Sequence, residues 1–573
     1  MPQVSKISQI TRMMRMMILP LSFYLIILPG FSTFAQTLNA EVTVNNNPSE
    51  DYLFIALSLI ASGDLWIVDN DLTPVFYKKV TGTIYDFKYQ PNGELTYNIY
   101  SDKSYGLDSS GSLINQYFVP PGFALDIHDL TVREDGSYYI LGREHIPIDM
   151  SQYVPGGDPN AILVAHTIHH MDADDNELWR WKSFDHYDIL DVDDNVDLTL
   201  RTVDWTHCNS VEVDTDGNII LSTRNFNEIT KIDRQTGEII WRFGGKKNQF
   251  QLINDNRGFG RQHDARRNSN GNLILFDNGR YLIPQYSSYV EYEIDEENLT
   301  ATLVKRYSRN KTVFTPSRGA VQELDNEDVL ISWGENIDPY ITEINVEDSI
   351  EFELVLPSTV YKYRAFRFPW QTNYIFVNLD SLNFGSISVG DSSLQNLWLI
   401  NRKDTSIVIN EFYLRDSTFS VLDTLPISIP QNDSFKITIM FKPKTDKYFV
   451  EKLNVRYTAA DLLLGKQVEL VGQTPLASLE EDNQQYSEYF LYQNFPNPFN
   501  PVTNIAFSIP TPENVSIKIY NLIGEEIFEI VNKDFSAGKY TFKYNASELP
   551  SGVYFYRIIA GKFIQSKKLV LLK

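Results

Sequence analysis

The sequence predicts an all-β protein, and three observations support that class. The chain of 573 residues contains 33 Tyr and 34 Phe, residues that favour strands. Gly, Asn and Asp separate short runs of β-branched residues, as turns separate strands. No long stretch repeats apolar residues with the period of a helix. The length allows about two to four domains, each with an apolar core of its own.

Charge and cysteine content exclude several classes of protein. The formal net charge is −24, which disfavours a nucleic-acid partner and means that an anionic substrate needs a local cluster of basic residues. Cys208 is the only cysteine. It excludes an intramolecular disulfide and a zinc site built from cysteines.

Residues 1–35 are predicted to be a secretory signal peptide. Arg12 and Arg15 precede an apolar run over residues 16–28, and small residues up to Ala35 precede a cleavage site at Gln36. Later apolar runs are too short or too interrupted to cross a bilayer. We therefore expect an exported chain with no transmembrane segment after the signal is removed.

Residues 36–370 repeat a unit of roughly 45 to 55 residues, the size of a four-stranded propeller blade. Six such units are counted, so this part is predicted to be a six-bladed β-propeller. The units begin near Leu53, Tyr85, His128, His207, His263 and Arg318.

Residues 371–474 alternate strands with turns such as "FGSISVGDSS", which predicts a β-sandwich. This part resembles the immunoglobulin-like modules that act as spacers in surface proteins. Residues 475–488 are predicted to be a polar, acidic linker. A second immunoglobulin-like sandwich is expected over residues 489–573.

The last segment resembles the C-terminal sorting domain of the type IX secretion system of Bacteroidetes. The phrases "NFPNPFNPVT" and "SAGKYTFKYNASELPSGVYFYRI" and the basic pair Lys567 and Lys568 follow the order of that family. The resemblance implies export through the Sec pathway and then through the type IX machinery. The mature protein is therefore expected to be secreted or held at the cell surface.

One position of the propeller repeat holds polar or reactive side chains. A purely structural repeat would usually carry the same small or apolar residue in each copy. Because the innermost positions of such a repeat converge on one point, this position is a natural place for an active site. The position lies eight residues before the turn glycine of each unit, or before Asn326, which takes the place of that glycine in the last unit. Its occupants are Tyr85, His128, Asn209, His263 and Arg318.

Strand alternation adds His207 to this set. It lies two residues before Asn209, so both side chains are predicted to face the same side of a strand. The remaining histidines are predicted to lie at the surface, in insertions or outer strands: His145, His166, His169, His170 and His186. No role is assigned to Tyr85, Arg143, Arg266 or Arg267.

Three phrases in this order resemble the bacterial arylsulfotransferases: "DWTHCNS", "LSTRNFNEITKID" with "EIIWRFGG", and "RQHDARRNSNGNLILFDNG". Members of that family move a sulfuryl group between phenols without a nucleotide donor. The resemblance covers residues 40–370 and implies that His263 takes up the sulfuryl group, while His128, His207, Asn209 and Arg224 surround it. It also implies an aryl sulfate donor and a phenolic acceptor as partners. No cofactor and no metal are expected.

These residue types suit sulfuryl transfer. A neutral imidazole is a nucleophile near neutral pH, and a sulfohistidine divides one displacement into two steps, which predicts ping-pong kinetics. The leaving phenolate needs a general acid, for which His207 and His128 are both candidates. Arg224 and Asn209 are predicted to donate hydrogen bonds to the sulfuryl oxygens. Arg318 is a further candidate for that role, predicted from the repeat register alone.

Two other functions stay open at this point. The propeller could be a cell-surface module that binds a ligand or an adhesive partner, with histidines that do no chemistry. The histidines could instead ligate the metal of a lyase or hydrolase, although a guanidinium such as that of Arg224 disfavours a nearby dication. The chain lacks the cysteine pair of familiar arylsulfotransferases and adds C-terminal domains. Nothing in the sequence identifies the donor or the acceptor.

Overall fold

The structure is a computed structural model in which the described residues are 38–571, apart from 60–61, 101–102, 336–337, 358–359, 371–374, 446–447, 460–461, 475–488, 498, 500–501, 522–525, 547–548 and 550–551. The expected signal peptide and the expected linker over residues 475–488 lie outside the described residues. Strands make up 57% of the structure and helices 3%, so the all-β prediction is confirmed. The chain divides into two compact units, Met1–Thr474 and Pro475–Lys573.

Among its described residues, the first unit opens with 27 strands. In chain order, β1 to β27 are Glu41–Asn45, Tyr52–Leu59, Ser62–Val68, Pro74–Thr81, Ile84–Tyr89, Leu95–Ile99, Ser104–Leu107, Leu113–Tyr117, Ala124–Val132, Tyr138–Ile148, Ala161–Met171, Glu177–Lys182, Thr202–Asp204, Cys208–Val213, Ile219–Thr223, Glu228–Ile232, Ile239–Gly244, Gln251–Ile253, His263–Arg267, Leu273–Asp277, Ser288–Asp295, Thr300–Tyr307, Ala320–Glu323, Val329–Ser332, Ile341–Ile344, Ile350–Val355 and Tyr361–Phe368.

Helices in the described residues are short. One α-helix, α1, spans Ser183–His186, and 3-10 helices span Met150–Gln152, Ile189–Asp191, Arg224–Phe226 and Arg309–Lys311. No helix in this part of the chain is long and apolar enough to cross a membrane.

Within the described residues, these strands form six antiparallel sheets that follow one another along the chain. Sheet 1 has the order β27-β2-β3-β4, sheet 2 β5-β6-β7-β8, sheet 3 β9-β10-β11-β12, sheet 4 β14-β15-β16-β17, sheet 5 β19-β20-β21-β22 and sheet 6 β23-β24-β25-β26-β1. β13 and β18 join β11 and β22 as parallel strands. The sequence repeat therefore corresponds to a repeat of whole sheets.

Strands from both ends of this region complete sheets 1 and 6. β27 pairs antiparallel with β2, with Phe366 opposite Phe54, and it contacts β5 and β23. β1 pairs with β26 at the other edge of sheet 6. The repeat puts the start of its first unit near Leu53 in β2, whereas the structure adds β27 on the inner side of β2. A repeat that is read from neighbouring residues cannot predict this pairing, because β27 lies about 300 residues from β2 in the chain.

The residues next to the repeat position form a buried layer of charge, the central charge layer. Arg364 has a fully buried side chain and lies 3.5 Å from Asp264 and 3.8 Å from both Asp86 and Asp129. Lys88 lies 2.8 Å from Asp86 and from Asp129. With Arg266 beside Asp129 at 2.7 Å, three cations face three carboxylates. Buried ions are tolerated when they are paired in this way.

The described part of the first unit continues with nine more strands. β28 to β36 are Ile375–Val377, Ser381–Ser386, Ser393–Asn401, Ile407–Tyr413, Phe419–Val421, Ile427–Ile429, Ser434–Phe441, Tyr448–Ala459 and Leu462–Gln473. One sheet has the order β28-β30-β34-β32, and β36-β35-β31-β33 continues from sheet 1 through β4. Leu464 of β36 lies opposite Phe76 of β4, and both belong to one buried apolar core with Trp370. This part therefore shares its core with sheet 1.

The residues of the second unit that the structure describes form two sheets around a core of their own. Its strands β37 to β43 are Phe490–Leu491, Val502–Ile509, Glu513–Tyr520, Glu526–Phe535, Gly538–Asn545, Gly552–Ala560 and Phe563–Leu571. The sheets have the orders β37-β38-β41 and β40-β39-β42-β43. Ile505, Ile517 and Tyr556 are among the buried residues between them.

Candidate active site

Four of the five residues at the repeat position line one cavity of about 320 Å³. The four are Tyr85, His128, His263 and Arg318, and the sequence-predicted His207 and Arg224 join them. The full lining is Tyr85, Tyr100, Asp126, Ile127, His128, Arg143, His207, Arg224, His263, Ser317, Arg318, Tyr361 and Tyr363. Side chains that are remote in sequence therefore meet at one point. A larger cavity of about 1060 Å³, near Trp370 and Lys466, has no histidine or arginine among its described lining residues.

His263 opens β19 and is 1% exposed. Its Nδ1 lies 2.7 Å from Oδ1 of Asn278. The amide nitrogen of Asn278 donates to the carbonyls of Thr315 and Arg318, both at 2.9 Å, which fixes the amide oxygen toward the ring. This network assigns the proton to Nδ1 and leaves the lone pair of His263 on Nε2.

The imidazole of His263 is neutral and lies near a cation. Burial lowers the pKa of His263 well below its usual value, and the positive charge of Arg224 adds to that effect. The backbone N–H of Arg318 donates to Nε2 over 3.2 Å. An imidazole in this state can act as a nucleophile toward an electrophile that enters the cavity.

His128 is tied to a buried carboxylate. Its Nδ1 lies 2.5 Å from Asp126, and the other carboxylate oxygen of Asp126 lies 3.1 Å from Nε2 of His166. His166 in turn bonds Oγ1 of Thr206 over 2.9 Å through Nδ1. Burial alone would raise the pKa of Asp126, but the two histidines outweigh it and hold that pKa well below its usual range. Asp126 is thus a carboxylate that orients His128, as in other base-carboxylate pairs.

His207 packs against His128 with a ring separation of 4.9 Å. Its Nδ1 makes a short hydrogen bond to Asp204. Burial lowers the pKa of His207 to about 4, and the neighbouring His128 and Arg224 contribute, although Asp204 opposes the change. His207 is therefore neutral at neutral pH.

Arg224 and Arg318 line the cavity from positions outside the strands. Arg224 follows β15 and donates to Oδ1 of Asn225 at 3.1 Å and to the carbonyl of Pro316 at 3.4 Å. Burial lowers its pKa to about 10, which leaves it protonated at neutral pH. Arg318 has a positive φ of 67° and stacks over the ring of Tyr361 at 3.8 Å. Both guanidinium groups can hold an oxyanion.

The structure does not bring Asn209 into the cavity. Its side chain is fully buried and donates to the carbonyl of Gln262 at 2.7 Å. The alternation that paired it with His207 fails because His207 precedes β14 and has a positive φ of 50°. A register shift between Cys208 and Ser210 also re-aims Asn209.

One wall of the cavity consists of tyrosines. The hydroxyl of Tyr361 donates to that of Tyr85 at 2.8 Å, and the rings of Tyr100 and Tyr363 lie 6.1 and 5.3 Å from Tyr85. Tyr85, which had no predicted role, therefore belongs to an aromatic surface. Such a surface suits an aryl ring, since aromatic pairs gain energy from edge and offset contacts.

Three predicted surface histidines are in fact buried. His166, His169 and His170 are 2%, 0% and 7% exposed. They lie on β11, which pairs with β10 on one side and β12 on the other. The surface prediction was wrong because β11 is a central strand of sheet 3, whose two faces are both covered.

The arginines without a predicted role have different surroundings. Arg143 lines the cavity, with its Nε 3.6 Å from Asp126. Arg266 belongs to the central charge layer, and Arg267 pairs with Asp214 at 3.1 Å and Glu296 at 2.8 Å. Arg266 and Arg267 therefore do not line the cavity.

Sequence reasoning missed the residues that support the histidines. Asp126 and Asp204 precede His128 and His207 by two and three residues, a local signal that could have suggested them. Asn278 is 15 residues from His263 and shows no such signal. Tyr361 and Tyr363 come from β27, the closing strand.

Comparison with known proteins gives two family matches. Residues 39–367 match the model of the arylsulfotransferase (ASST) family, and residues 493–572 match that of the secretion system C-terminal sorting domain. The second match marks the chain as exported by the type IX system to the cell surface or the extracellular space. No curated protein matches the chain.

Several solved structures are similar to the chain at low identity. A protein of unknown function from Bacteroides caccae is 12% identical, with a TM-score of 0.36, over 56% of this chain and 99% of that chain. A streptogramin B lyase is 12% identical, with a TM-score of 0.30, over 55% and 87%. A virginiamycin B lyase from Staphylococcus aureus is 10% identical, with a TM-score of 0.29, over 70% and 99%. These likenesses carry no argument about function.

The sequence phrases, the cavity with its histidines and arginines, and the family match concern the same part of the chain. Because the family model extends over residues 39–367, more than half of the chain, the chain belongs to the arylsulfotransferase family.

Proposed function

We propose that this protein is an exported aryl sulfotransferase that moves a sulfuryl group from a phenolic sulfate ester to a phenol through a sulfohistidine, without a nucleotide donor. Its six sheets would form a six-bladed propeller over residues 36–370. Immunoglobulin-like sandwiches over residues 371–474 and 489–573 would follow, and a signal peptide over residues 1–35 would be removed.

In the first half-reaction, the lone pair on Nε2 of His263 attacks the sulfur of the donor. An N–S bond forms as the S–O bond to the aryl group breaks, and the electron pair stays on the leaving phenolate oxygen. As this bond forms, the backbone N–H of Arg318 releases Nε2 and donates to a sulfuryl oxygen instead. Arg224 and Arg318 supply the positive charge that holds the sulfuryl oxygens.

The leaving phenolate takes a proton from His128. The carboxylate of Asp126, 2.5 Å from Nδ1, stabilises the protonated ring and orients it. His207, whose pKa is about 4, is a weaker candidate because it is neutral at neutral pH. In the second half-reaction, His128 accepts the proton of the acceptor phenol, whose oxygen attacks sulfur and releases His263.

One observation carries the proposal: a buried, neutral histidine with its Nδ1 fixed by Asn278 faces a cavity that is lined by three arginines. A module that only binds ligands does not need this tautomer control. Guanidinium groups beside the histidines also disfavour a metal dication, since like charges repel at short range.

The test is turnover of an aryl sulfate with a phenol acceptor by the full chain and by His263→Ala. We expect the variant to lose at least roughly 10³-fold in kcat, and the wild type to show the parallel initial-velocity lines of a ping-pong mechanism. His145→Ala, a change at an exposed histidine, is the control. Full activity of His263→Ala would rule the mechanism out, and no turnover by the wild type would favour the binding module.

A further inference from the structure

Arg224, which lines the cavity, is linked through Arg261 to Arg280 near the protein surface. These three arginines are here named the arginine path. The guanidinium groups of Arg224 and Arg261 both donate to Oδ1 of Asn225, the first at 3.1 Å and the second through a short bond. Arg261 and Arg280 both stack on the ring of Tyr281, at 5.3 and 5.0 Å from its centre. Tyr281 is 43% exposed, so the path ends at the surface.

Arg280 is the outer end of the arginine path, and the loop between β20 and β21 that carries it is held against the path. The carbonyl oxygen of Arg280 lies 3.0 Å from the place where a Cβ of Gly260 would stand, directly before Arg261. Arg257 donates to the carbonyls of Pro284 and Tyr286, at 2.7 and 3.0 Å, and so ties the far side of the loop. Arg280 is thus positioned by a fixed loop.

The positive charge of the path is only partly compensated. Asp193 pairs with Arg261 at 3.2 Å, and Asp204 beside His207 offsets part of the charge of Arg224. In the part of the chain that the structure describes, Arg280 has no carboxylate within ion-pair distance. The excess of one positive charge therefore lies at the outer end of the path.

Two donors along the path also lack partners. The Nε atoms of Arg224 and Arg261 are buried and, among the described residues, have no hydrogen-bond acceptor. A buried unpaired donor costs free energy, roughly 1–3 kcal/mol, and three neighbouring cations repel one another. Ligand binding is a physical reason to keep such an arrangement in a chain whose net charge is −24.

We propose that the arginine path is a second oxyanion site, which binds an additional negative group on the aromatic substrate while the sulfuryl group lies at His263. The preferred substrates are then phenols that carry a carboxylate or a second sulfate ester on the ring. This inference rests on the proposed function, because it takes the sulfuryl site as the place of the first anion. The arginine path itself is a separate set of residues, apart from Arg224.

The test measures binding of aryl sulfonates to the full chain, because their C–S bond does not allow transfer. Benzenesulfonate carries one anionic group, whereas 3-sulfobenzoate and 4-sulfobenzoate carry two. We expect at least one sulfobenzoate to bind roughly fivefold more tightly than benzenesulfonate, an advantage that falls as salt is added. Arg280→Ala removes the advantage, and Arg280→Lys keeps part of it.

Arg402→Ala is the matched control, because Arg402 also stacks on an aromatic ring, that of Phe376 at 4.3 Å, on the sandwich. It keeps the wild-type ratio of affinities. Equal affinities for the three probes in the wild type, an undiminished ratio in Arg280→Ala, or no binding of any probe would overturn the proposal.

Turnover separates this inference from the proposed function. If the affinity ratio depends on Arg280 but no aryl sulfate is turned over, the oxyanion site stands and the sulfotransferase proposal fails. If turnover is observed, kinetics with 4-carboxyphenyl sulfate as donor and 4-hydroxybenzoate as acceptor identify the bound partner. The substrate whose KM rises in Arg280→Ala is the one that uses the path.

Discussion

At the scale of single residues, Asn278 determines which nitrogen of His263 carries the proton and which is the nucleophile in the proposed mechanism. Its amide is held by two backbone carbonyls, so its oxygen can only accept from Nδ1 of His263. Without this contact the ring is free to adopt the other tautomer, in which Nε2 carries the proton and has no lone pair. The ring is also free to rotate, so that Nε2 no longer faces the cavity. The role proposed for His263 therefore depends on a residue that does not line the cavity.

Asn278→Ala should lower kcat by roughly 10- to 100-fold, the usual effect of removing an orienting partner of a functional histidine. The KM for the donor should change little, because the guanidinium groups that bind it stay in place. Steady-state kinetics with an aryl sulfate measure both constants. Asn270→Ala, in an exposed turn, should match the wild type, and an unchanged kcat in Asn278→Ala would refute the positioning role.

His207 predicts how stability depends on pH. Its folded pKa of about 4 lies below the unfolded value of about 6.5, so the unfolded state binds more protons between these values. Stability is therefore lost as the pH falls through this window and is unaffected well above it. The contribution of His207 amounts to about 2 kcal/mol between pH 7 and pH 5.

Between pH 7 and pH 5, the free energy of unfolding of His207→Gln should fall by about 2 kcal/mol less than that of the wild type. Urea unfolding at pH 7 and pH 5 measures the difference. Asp204, whose pKa is also lowered in the fold, acts mainly below this interval. His145→Gln should keep the wild-type pH dependence. A variant with the same loss as the wild type would mean that His207 is protonated in the folded state.

At the scale of elements, β36 makes the region after residue 370 part of the same structure as sheet 1. Leu464 is fully buried between Phe76 and Tyr457 in a core that both regions share. Leu464→Ala should lower the free energy of unfolding by about 2–5 kcal/mol. Probes in sheet 1 and in β28–β36 should report one coincident transition.

Chemical denaturation followed by tryptophan fluorescence and by circular dichroism measures this. Val450→Ala, at a position that is 56% exposed on the adjacent β35, should change stability by less than about 0.5 kcal/mol. Two separate transitions would show that the region of β28–β36 is an independent domain.

Elements also show what the sequence could predict. Turn glycines and short apolar runs gave the all-β class and the starts of sheets 2 to 6, because these are local signals. The common cavity of His128, His263 and Arg318 was also predictable, because the spacing of these residues from their turns is a local signal. The position of Asn209 depended on a bulge, and that of Tyr363 on a closing strand; both are set by long-range pairing that no local pattern carries.

At the scale of the whole molecule, transfer and export belong to different units. Every residue that lines the cavity lies before Thr474, and the sorting-domain match begins at residue 493. Deleting residues 489–573 should leave kcat/KM unchanged within about twofold, a difference below about 0.5 kcal/mol. In cells, the shortened protein should no longer reach the surface or the medium.

Activity of the purified proteins and fractionation of cells test both halves of this prediction. A variant with the basic pair Lys567 and Lys568 changed to Ala serves as a milder comparison, since the second unit stays present. If the deletion abolishes turnover in purified protein, the catalytic machinery is not confined to the first unit.

The most direct test of the mechanism is the covalent intermediate. The full chain is mixed briefly with an aryl sulfate and no acceptor, quenched, digested, and analysed by mass spectrometry. We predict that the peptide containing His263 gains the mass of one SO₃ group, that one equivalent of phenol is released in the burst, and that adding a phenol acceptor removes the label. Rapid turnover with no label on His263, or with the label on another residue, would contradict the account.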